Sequence, residues 1–397
     1  MTRALWESAR EAAGAATEVE LYARASRRVR VSIDADGALH VDHGIDEGLA
    51  VRVHEPARKT LGFAAASGLG AAEAARAARR AEADAVPFDG ERPWSDRGGV
   101  RTDGAEAPPD LPPAEALADW LTGALRRSGA VPAEDPWVEA SSTLEAAWTT
   151  EGGWVRSRLR VWGILVAPCV AVAGAEPVPR VVAVRDPAGL PSDPWPLHGT
   201  AARAASRRAV AARSGSVVFD GEALAPLVPA LVRALADTGP RGATRVGPGW
   251  VLKDDPTDPE APVGGMWDDA GFATAVVRLA DGHEVVGRIA GPGSFRRGSF
   301  RDPPEPAPTL LRVEPPAVDP PPGGVRIVAV RIHPLDGRWL LEVDGVDPTG
   351  AAFHGGLVRT DPLELAARCV GGIGPAALRA GAVLTPALRF ERLRVEG

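Results

Sequence analysis

Metal-assisted hydrolysis is the first chemistry these residues suggest, because two histidines are followed directly by glutamate: His54-Glu55 and His283-Glu284. A zinc-binding helix needs a second imidazole about one turn beyond the first, with the glutamate acting as general base on the bound water. Neither pair is completed. Arg58 and Lys59 stand four and five positions after His54, and Gly287 and Arg288 stand there after His283. Both pairs read as exposed polar residues. His40, His43, His198, His333 and His354 are scattered over expected strand ends and loops, and of these only His40 and His43 lie close enough in sequence to approach each other. No metal site is expected within this chain.

Nucleophilic chemistry finds no better footing, since the chain has no Gly-x-Ser-x-Gly elbow and neither Cys169 nor Cys369 has a recognisable local setting. Both cysteines read as small buried hydrophobes. Gly291-Pro292-Gly293-Ser294 with Arg296 and Arg297 has the look of a phosphate loop but lacks the Gly-Lys-Ser/Thr ending, so it reads as a loop carrying surface arginines. No catalytic residue is assigned. The most concentrated acidic features are Asp254-Asp255 and Asp268-Asp269, the latter followed by Gly271. They are the candidates for a groove that receives a peptide or contacts a partner; the plainer reading is turn chemistry, because Asp beside Pro and Gly caps its own backbone. Eleven tryptophans against a single tyrosine, Tyr22, are read mostly as core, with some as interface anchors.

The elements that must position these residues follow from periodicity. A helix is expected over 2–13, where Leu5, Trp6, Ala9 and Ala13 recur at helical spacing. Strands follow over 18–33, 39–42, 48–53 and 61–66, with Asp34-Ala35-Asp36-Gly37 as turn chemistry after the first. The alanine-rich stretch 70–84 is helical by propensity. Residues 87–113, rich in Pro, Gly and charge, read as a linker. A helix starting at Pro112-Pro113 presents Leu117, Trp120, Leu121, Ala124 and Leu125 on one stripe. Over 137–184 the chain alternates like strands, with Trp154, Arg156, Arg158, Arg160 and Trp162 on a half-solvated face opposite Val155, Leu159 and Val161.

Another helix is expected over 201–212. Hairpins are expected around Asp281-Gly282 and from 325–332 to 338–343, a surface loop over 301–324, and a helix over 361–370 ended by Gly371-Gly372. The fold class is α+β: a small N-terminal helix-and-sheet domain over 1–86, the linker, a middle helix-and-strand region over 114–213, and a larger C-terminal domain over 214–397 with a mixed, mostly antiparallel sheet and flanking helices.

Composition limits the function. A chain of 397 residues is too long for one ordinary core, and 45% apolar residues can fill two or three. A net charge of −7 argues against a nucleic-acid partner, which needs a concentrated basic face. There is no apolar run long enough for a bilayer, and the start Met1-Thr2-Arg3-Ala4-Leu5-Trp6-Glu7 lacks a signal-peptide plan, so no membrane association and a cytoplasmic location are expected.

Several segments, taken in order, resemble the TldD/PmbA family of metallopeptidase subunits. They are Gly48-Leu49-Ala50-Val51-Arg52-Val53, Gly62-Phe63-Ala64, Val217-Val218-Phe219, Asp254-Asp255-Pro256, Trp267-Asp268-Asp269-Ala270-Gly271 and Leu384-Thr385-Pro386-Ala387-Leu388. Where the family usually shows Asp-Asp-Glu-Gly, this chain has Asp268-Asp269-Ala270-Gly271. The catalytic member of the family carries His-Glu-x-x-x-His on the helix that follows the strand matching Val217-Val218-Phe219. Here Pro229, Ala230 and Ala234 occupy those positions, so the chain looks like the non-catalytic partner of the TldE/PmbA type. The resemblance implies a subunit of a heteromeric metallopeptidase with zinc held in a separate catalytic TldD-like partner, and unfolded or modified peptides as substrate. Two other readings stay open: a stand-alone peptide-binding or scaffold protein, and a hydrolase whose site is assembled from dispersed residues.

Overall fold

The computed structural model describes residues 2–14, 17–68, 70–81, 94, 99–103, 108–128, 136–150, 152–167, 178–184, 187–190, 213–237, 245–258, 261, 264–297, 300–380 and 383–396. The helix expected over 201–212, the His198 imidazole and Cys169 lie outside the described residues. Two sheets organise the rest, an α+β arrangement with helices on their outer faces.

The first sheet begins with helix α1 (Thr2–Ala13), then β1 (Glu18–Ile33), β2 (Leu39–Glu55), β3 (Thr60–Ser67) and helix α2 (Ala71–Ala81). It continues with β4 (Gly99–Asp103), helix α3 (Ala114–Ser128), β5 (Trp137–Trp148), β6 (Gly152–Ala167) and β7 (Val178–Val184). Strand order is β3-β2-β1-β5-β6-β4, with β7 also on β6. The β1–β2 turn forms because Asp34 Oδ1 accepts from the backbone N–H of Asp36 and Ala38, and Gly37 takes φ +81°.

Three expectations change here. The pieces over 1–86 and 114–213 share this single sheet through the β1–β5 ladder, because β1 is long enough to pair along both edges. The stretch read as a linker supplies β4, parallel to β6. The separate strands expected over 39–42 and 48–53 are one strand, continuous because every residue from Leu39 to His54 has a partner on β1.

Side chains alternate across this sheet with period two. On β1 the odd-numbered Val19, Leu21, Ala23, Val29, Val31 and Ile33 are buried against helices. Trp6, Ala9 and Ala13 of α1 and Ala71, Ala74, Ala75 and Ala78 of α2 cover one end; Leu117, Leu121, Ala124 and Leu125 of α3 cover the other. The even-numbered Glu20, Tyr22, Arg24, Ser26, Arg28 and Arg30 therefore point to the opposite face. Register places Glu145 and then Arg156 beside Arg24, and Thr143 and then Arg158 beside Ser26.

The second sheet draws its strands from Arg213 onward: β8 (Arg213–Phe219), β9 (Arg245–Asp254), β10 (Val277–Val285), β13 (Leu311–Glu314), β14 (Val325–Leu335), β15 (Arg338–Val346), β16 (Ala352–Thr360), β17 (Cys369–Ala380) and β18 (Val383–Val395). Short β11 (Phe295–Arg296) and β12 (Glu305–Pro306) pair with each other apart from it. Strand order is β10-β9-β13-β18-β8-β14-β15-β16, with β17 on β18, and only β13/β18 and β14/β8 are parallel. Helices α4 (Gly221–Asp237) and α5 (Pro362–Arg368) close its core, which contains Phe219, Leu224, Leu227, Leu231, Trp250, Leu341, Leu365, Leu388 and Phe390.

The β14–β15 hairpin turns on Asp336 and Gly337, both at positive φ, as a two-residue turn requires. The hairpin expected at Asp281-Gly282 is not a separate unit. β10 runs through both residues against β9, and the positive φ of Gly282 is taken up at a bulge in that ladder. Within the presumed surface loop 301–324, β13 is inserted between β9 and β18 with Leu311 and Val313 buried. Helix α5 is capped by Asp361, whose carboxylate accepts from Leu363 and Glu364 N–H. It runs straight into β17, so Gly371-Gly372 lie inside a strand, where side chains would collide with Pro316 and Val318 or with Pro386 and Pro315. No helix among the described residues is long and apolar enough to cross a membrane.

The core of the second sheet centres on Phe219, fully buried with its ring edge-on to Phe390 at 5.0 Å. Phe219→Ala should lower unfolding free energy by about 3–5 kcal/mol, read by urea denaturation.

Candidate functional site

One end of the polar face of the first sheet, around Tyr22, Trp154 and Arg156, is buried rather than half-solvated. Loops of the second half dock on it, and Arg156 is buried there. Its guanidinium donates to Glu145 Oε2 at 2.9 and 3.0 Å, to the Trp267 carbonyl at 3.3 Å, and to Asp269 Oδ1. Glu145 also accepts from the Tyr22 hydroxyl at 2.7 Å and pairs with Arg158 at 2.9 Å. One strand-pair away, Arg52 makes two hydrogen bonds to Glu20, and Arg297 from the second half reaches the same carboxylate at 3.1 Å. Arg297 also stacks over the Tyr22 ring with its guanidinium carbon 4.4 Å from the centroid. Tyr22, Ala50, Ala147, Trp154, Trp267 and Phe300 fill the apolar part of the junction. Phe300 lies where a side chain on Gly48 would stand, 2.2 Å from its Cβ position, so only glycine admits it.

Burial alone would raise the Glu145 pKa, but Arg158, Arg156 and Arg24 outweigh it and hold the carboxylate well below its usual range. The same contest lowers Asp269, where Arg156 is the largest opposing charge. Arg156 goes the other way: burial opposes its charge, yet Glu145 and Asp269 raise its pKa further. Burial raises the Tyr22 hydroxyl well above its ordinary value and keeps it a neutral donor.

Of the sequence candidates, the structure brings only Asp269 to this junction as a charged partner. Asp268 is fully buried and accepts backbone N–H bonds from Ala270, Phe272, Gly293 and Phe295, tying two loops together. Burial raises its pKa against those four bonds. Asp254 does the same work for Thr309 and Leu310, and Asp255 holds a turn through Thr257. Gly271, at φ +82°, lets its carbonyl meet Arg101 while a Cβ there would press on Trp154 at 3.0 Å. Asp254, Asp268 and Asp269 are thus buried and hold loops in place, while Asp255 is half-buried at a turn.

Sequence reasoning missed the arginines. Beside the junction lies a cavity of about 530 Å³. Arg24, Ser141, Thr143 and Arg158 of the first sheet form its floor, and Asp269, Arg296 and Arg297 form a wall. Pro303, Pro306 and Pro308, with the exposed Asp302 and Glu305, complete its mouth. The supposed surface arginines are the opposite of exposed: Arg297 is buried, and Arg296 packs its guanidinium on the Thr309 hydroxyl at 2.6 and 2.8 Å. Burial lowers the pKa of both. The signal available in the sequence was the period-two run of arginines on β1 and β6.

The histidine readings also change. His54 is buried, with Nδ1 3.2 Å from Glu18 and its ring edge-on to Trp94. His40 and His43 point to opposite faces of β2, being an odd number of positions apart. Cys369 is buried, and its thiol is pushed up to about 12. Among the described residues, no three His, Cys, Asp or Glu side chains gather as metal ligands would. On α4, Pro229, Ala230 and Ala234 offer a metal no side-chain donor atom, and Ala230 and Ala234 pack against the core. The residues there do not fit a zinc ion.

Asp269→Asn keeps the shape but removes a charge facing buried Arg156, so stability should fall by about 3–5 kcal/mol. The folded-state pKa values of Asp269 and Glu145 lie below their unfolded values. Their contribution is therefore full above the unfolded values, near 4, and is lost as pH falls below them. Urea midpoints measured from pH 7 down to pH 3 should drop more steeply for the parent chain than for D269N.

No protein-family model matches the sequence, and no curated protein matches it. Solved structures do. The chain is similar to a protein described as a candidate modulator of a DNA gyrase from Thermotoga maritima, with TM-score 0.72 and 13% identity over 99% of this chain and 98% of that one. It is similar to TldE from Thermococcus kodakarensis, with TM-score 0.71 and 13% identity over 96% and 97%. A second protein described as a candidate modulator of DNA gyrase, from Bacteroides thetaiotaomicron, gives TM-score 0.69 and 12% identity over 100% and 98%. This chain shares their fold along nearly its whole length.

Proposed function

We propose that this chain is a TldD/PmbA-family protein of the non-catalytic, TldE-like kind, working as the partner subunit of a zinc metallopeptidase. The carrying observation is helix α4, which follows β8 as the family's catalytic helix follows its strand. At the three positions of the His-Glu-x-x-x-His motif it presents Pro229, Ala230 and Ala234. Full-length similarity in fold to a TldE supports the same reading.

In this reading zinc, general base and activated water belong to a TldD-like subunit. This chain contributes a rigid wall to the enclosure that admits an unfolded or modified peptide. Rigidity is what the junction supplies: a surface that positions a mobile peptide must not itself yield, and the buried Glu145–Arg156–Asp269 contacts fix the second half on the first sheet.

The test is metal analysis and peptidase assay of the purified chain, alone and mixed with a catalytic subunit carrying His-Glu-x-x-x-His. The chain alone should hold less than a tenth of an equivalent of zinc, roughly, and cleave no peptide, whereas the mixture should cleave unfolded peptides in a chelator-sensitive way. One tightly held zinc per chain, or chelator-sensitive cleavage by the chain alone, would sink the proposal.

A further inference from the structure

We propose that the cavity between the first sheet, Arg296 and Arg297, and the 302–308 segment is an oxyanion-binding site of this chain, taking the terminal carboxylate of an extended peptide. The assignment stands on this chain's own residues and holds whether or not a metallopeptidase subunit joins it.

Charge is the first argument. The inward-facing cations around the cavity are Arg24, Arg158, Arg296 and Arg297, backed by Arg52 and Arg156. The buried carboxylates that face them are Glu20, Glu145, Asp269, Asp268 and Asp254, and each is already engaged: Glu20 by Arg52 and Arg297, Glu145 by Arg156 and Arg158, Asp269 by Arg156 and the Arg297 backbone N–H, and Asp268 and Asp254 by backbone N–H groups of the loops. The cavity itself is lined by four arginines and three carboxylates, and since Asp302 and Glu305 stand exposed at the mouth, its inner wall is left cationic and suited to an anion.

An orphan donor is the second. Arg297 lines the cavity with its side chain 1% exposed, yet its Nε–H has no hydrogen-bond partner. Buried guanidinium donors are rarely left unmet, and a fork of N–H groups is the geometry that carboxylates and other oxyanions fit. Arg296 and Arg297 also pay for burial with lowered pKa values, a cost that an oxyanion alongside would relieve.

Shape selects the source of the oxyanion. The space, about 530 Å³, is far larger than a tetrahedral ion, and Pro303, Pro306 and Pro308 give it an apolar flank suited to a peptide body. Asp302 and Glu305 at the mouth repel a free dianion but tolerate a chain with one terminal charge. Arg158 and Arg24 on the floor, with the Ser141 and Thr143 hydroxyls beside them, are placed to receive that terminus.

Fluorescence anisotropy of the full-length chain at low salt tests this, with N-terminally fluorescein-labelled pentaalanine as free acid and as C-terminal amide. The free acid should bind at least about tenfold more tightly than the amide. Arg158→Gln and Arg24→Gln should each weaken the free acid by about tenfold or more, the loss expected for a charged hydrogen bond, while Arg338→Gln on the distant hairpin changes nothing. Ser141→Glu places a carboxylate on the floor without removing an arginine. It should abolish binding of the free acid, which keeps the test decisive if an arginine variant fails to fold. Equal affinity for acid and amide, phosphate binding without peptide binding, or unchanged affinity in folded R158Q, R24Q and S141E would each overturn the assignment.

Discussion

Everything in this molecule depends on how one buried guanidinium is satisfied. Arg156 sits on a strand of the first sheet, has lost nearly all contact with water, and is held by Glu145 from its own sheet and Asp269 from the second half. A buried charge without partners costs several kcal/mol, and the partnered arrangement requires both halves to be in place. The same logic repeats at Glu20, shared between Arg52 on the first sheet and Arg297 on the second half. Two sheets, each with its own apolar core, are thereby joined through a polar seam in which neither side is complete alone.

The seam also explains where the cavity lies. Among the described residues, the second half covers one end of the polar face of the first sheet and leaves Arg28 and Arg30 partly exposed. Beyond the covered end, the alternating side chains of β1 and β5 continue as a charged ladder, where Arg28 and Arg30 share Glu139 and Arg30 lies over Trp137 at 4.1 Å. The cavity is the step between covered and uncovered sheet. Its arginines belong to the same network that holds the halves together, so recognition and cohesion draw on one set of charges. Helix α4 lies elsewhere, packed on the second sheet, and its Ala223, Ala230 and Ala234 serve that apolar core.

Much of the fold was legible because it follows local rules. The helices over 2–13 and from Pro112-Pro113 showed their stripes, the long first strand showed its alternation, and Asp336-Gly337 announced a hairpin. The failures share one cause, a tertiary partner that local pattern does not reveal. Asp281-Gly282 carries turn chemistry, but β9 offers a ladder to the whole segment. The proline-rich 301–324 stretch looked like surface, yet β13 fills a gap between two strands. In the candidate site the error had a particular form. A strand with arginine at every second position is ordinary at a solvated surface, and nothing within β6 says that a second domain will cover it. Asp268 and Asp269 stood out in the sequence as a candidate groove or interface; in the structure one serves four backbone N–H groups and the other a buried arginine.

The most direct test of this account is a double-mutant cycle across the seam, with Glu20→Gln, Arg297→Gln and the pair compared with the parent chain by equilibrium unfolding. If the two halves are joined by this contact, the single changes will be strongly non-additive, with a coupling free energy of about 1–3 kcal/mol. Additivity within about 0.5 kcal/mol would show that Glu20 and Arg297 do not hold each other, and the seam would lose its role as the constraint on which the rest is built.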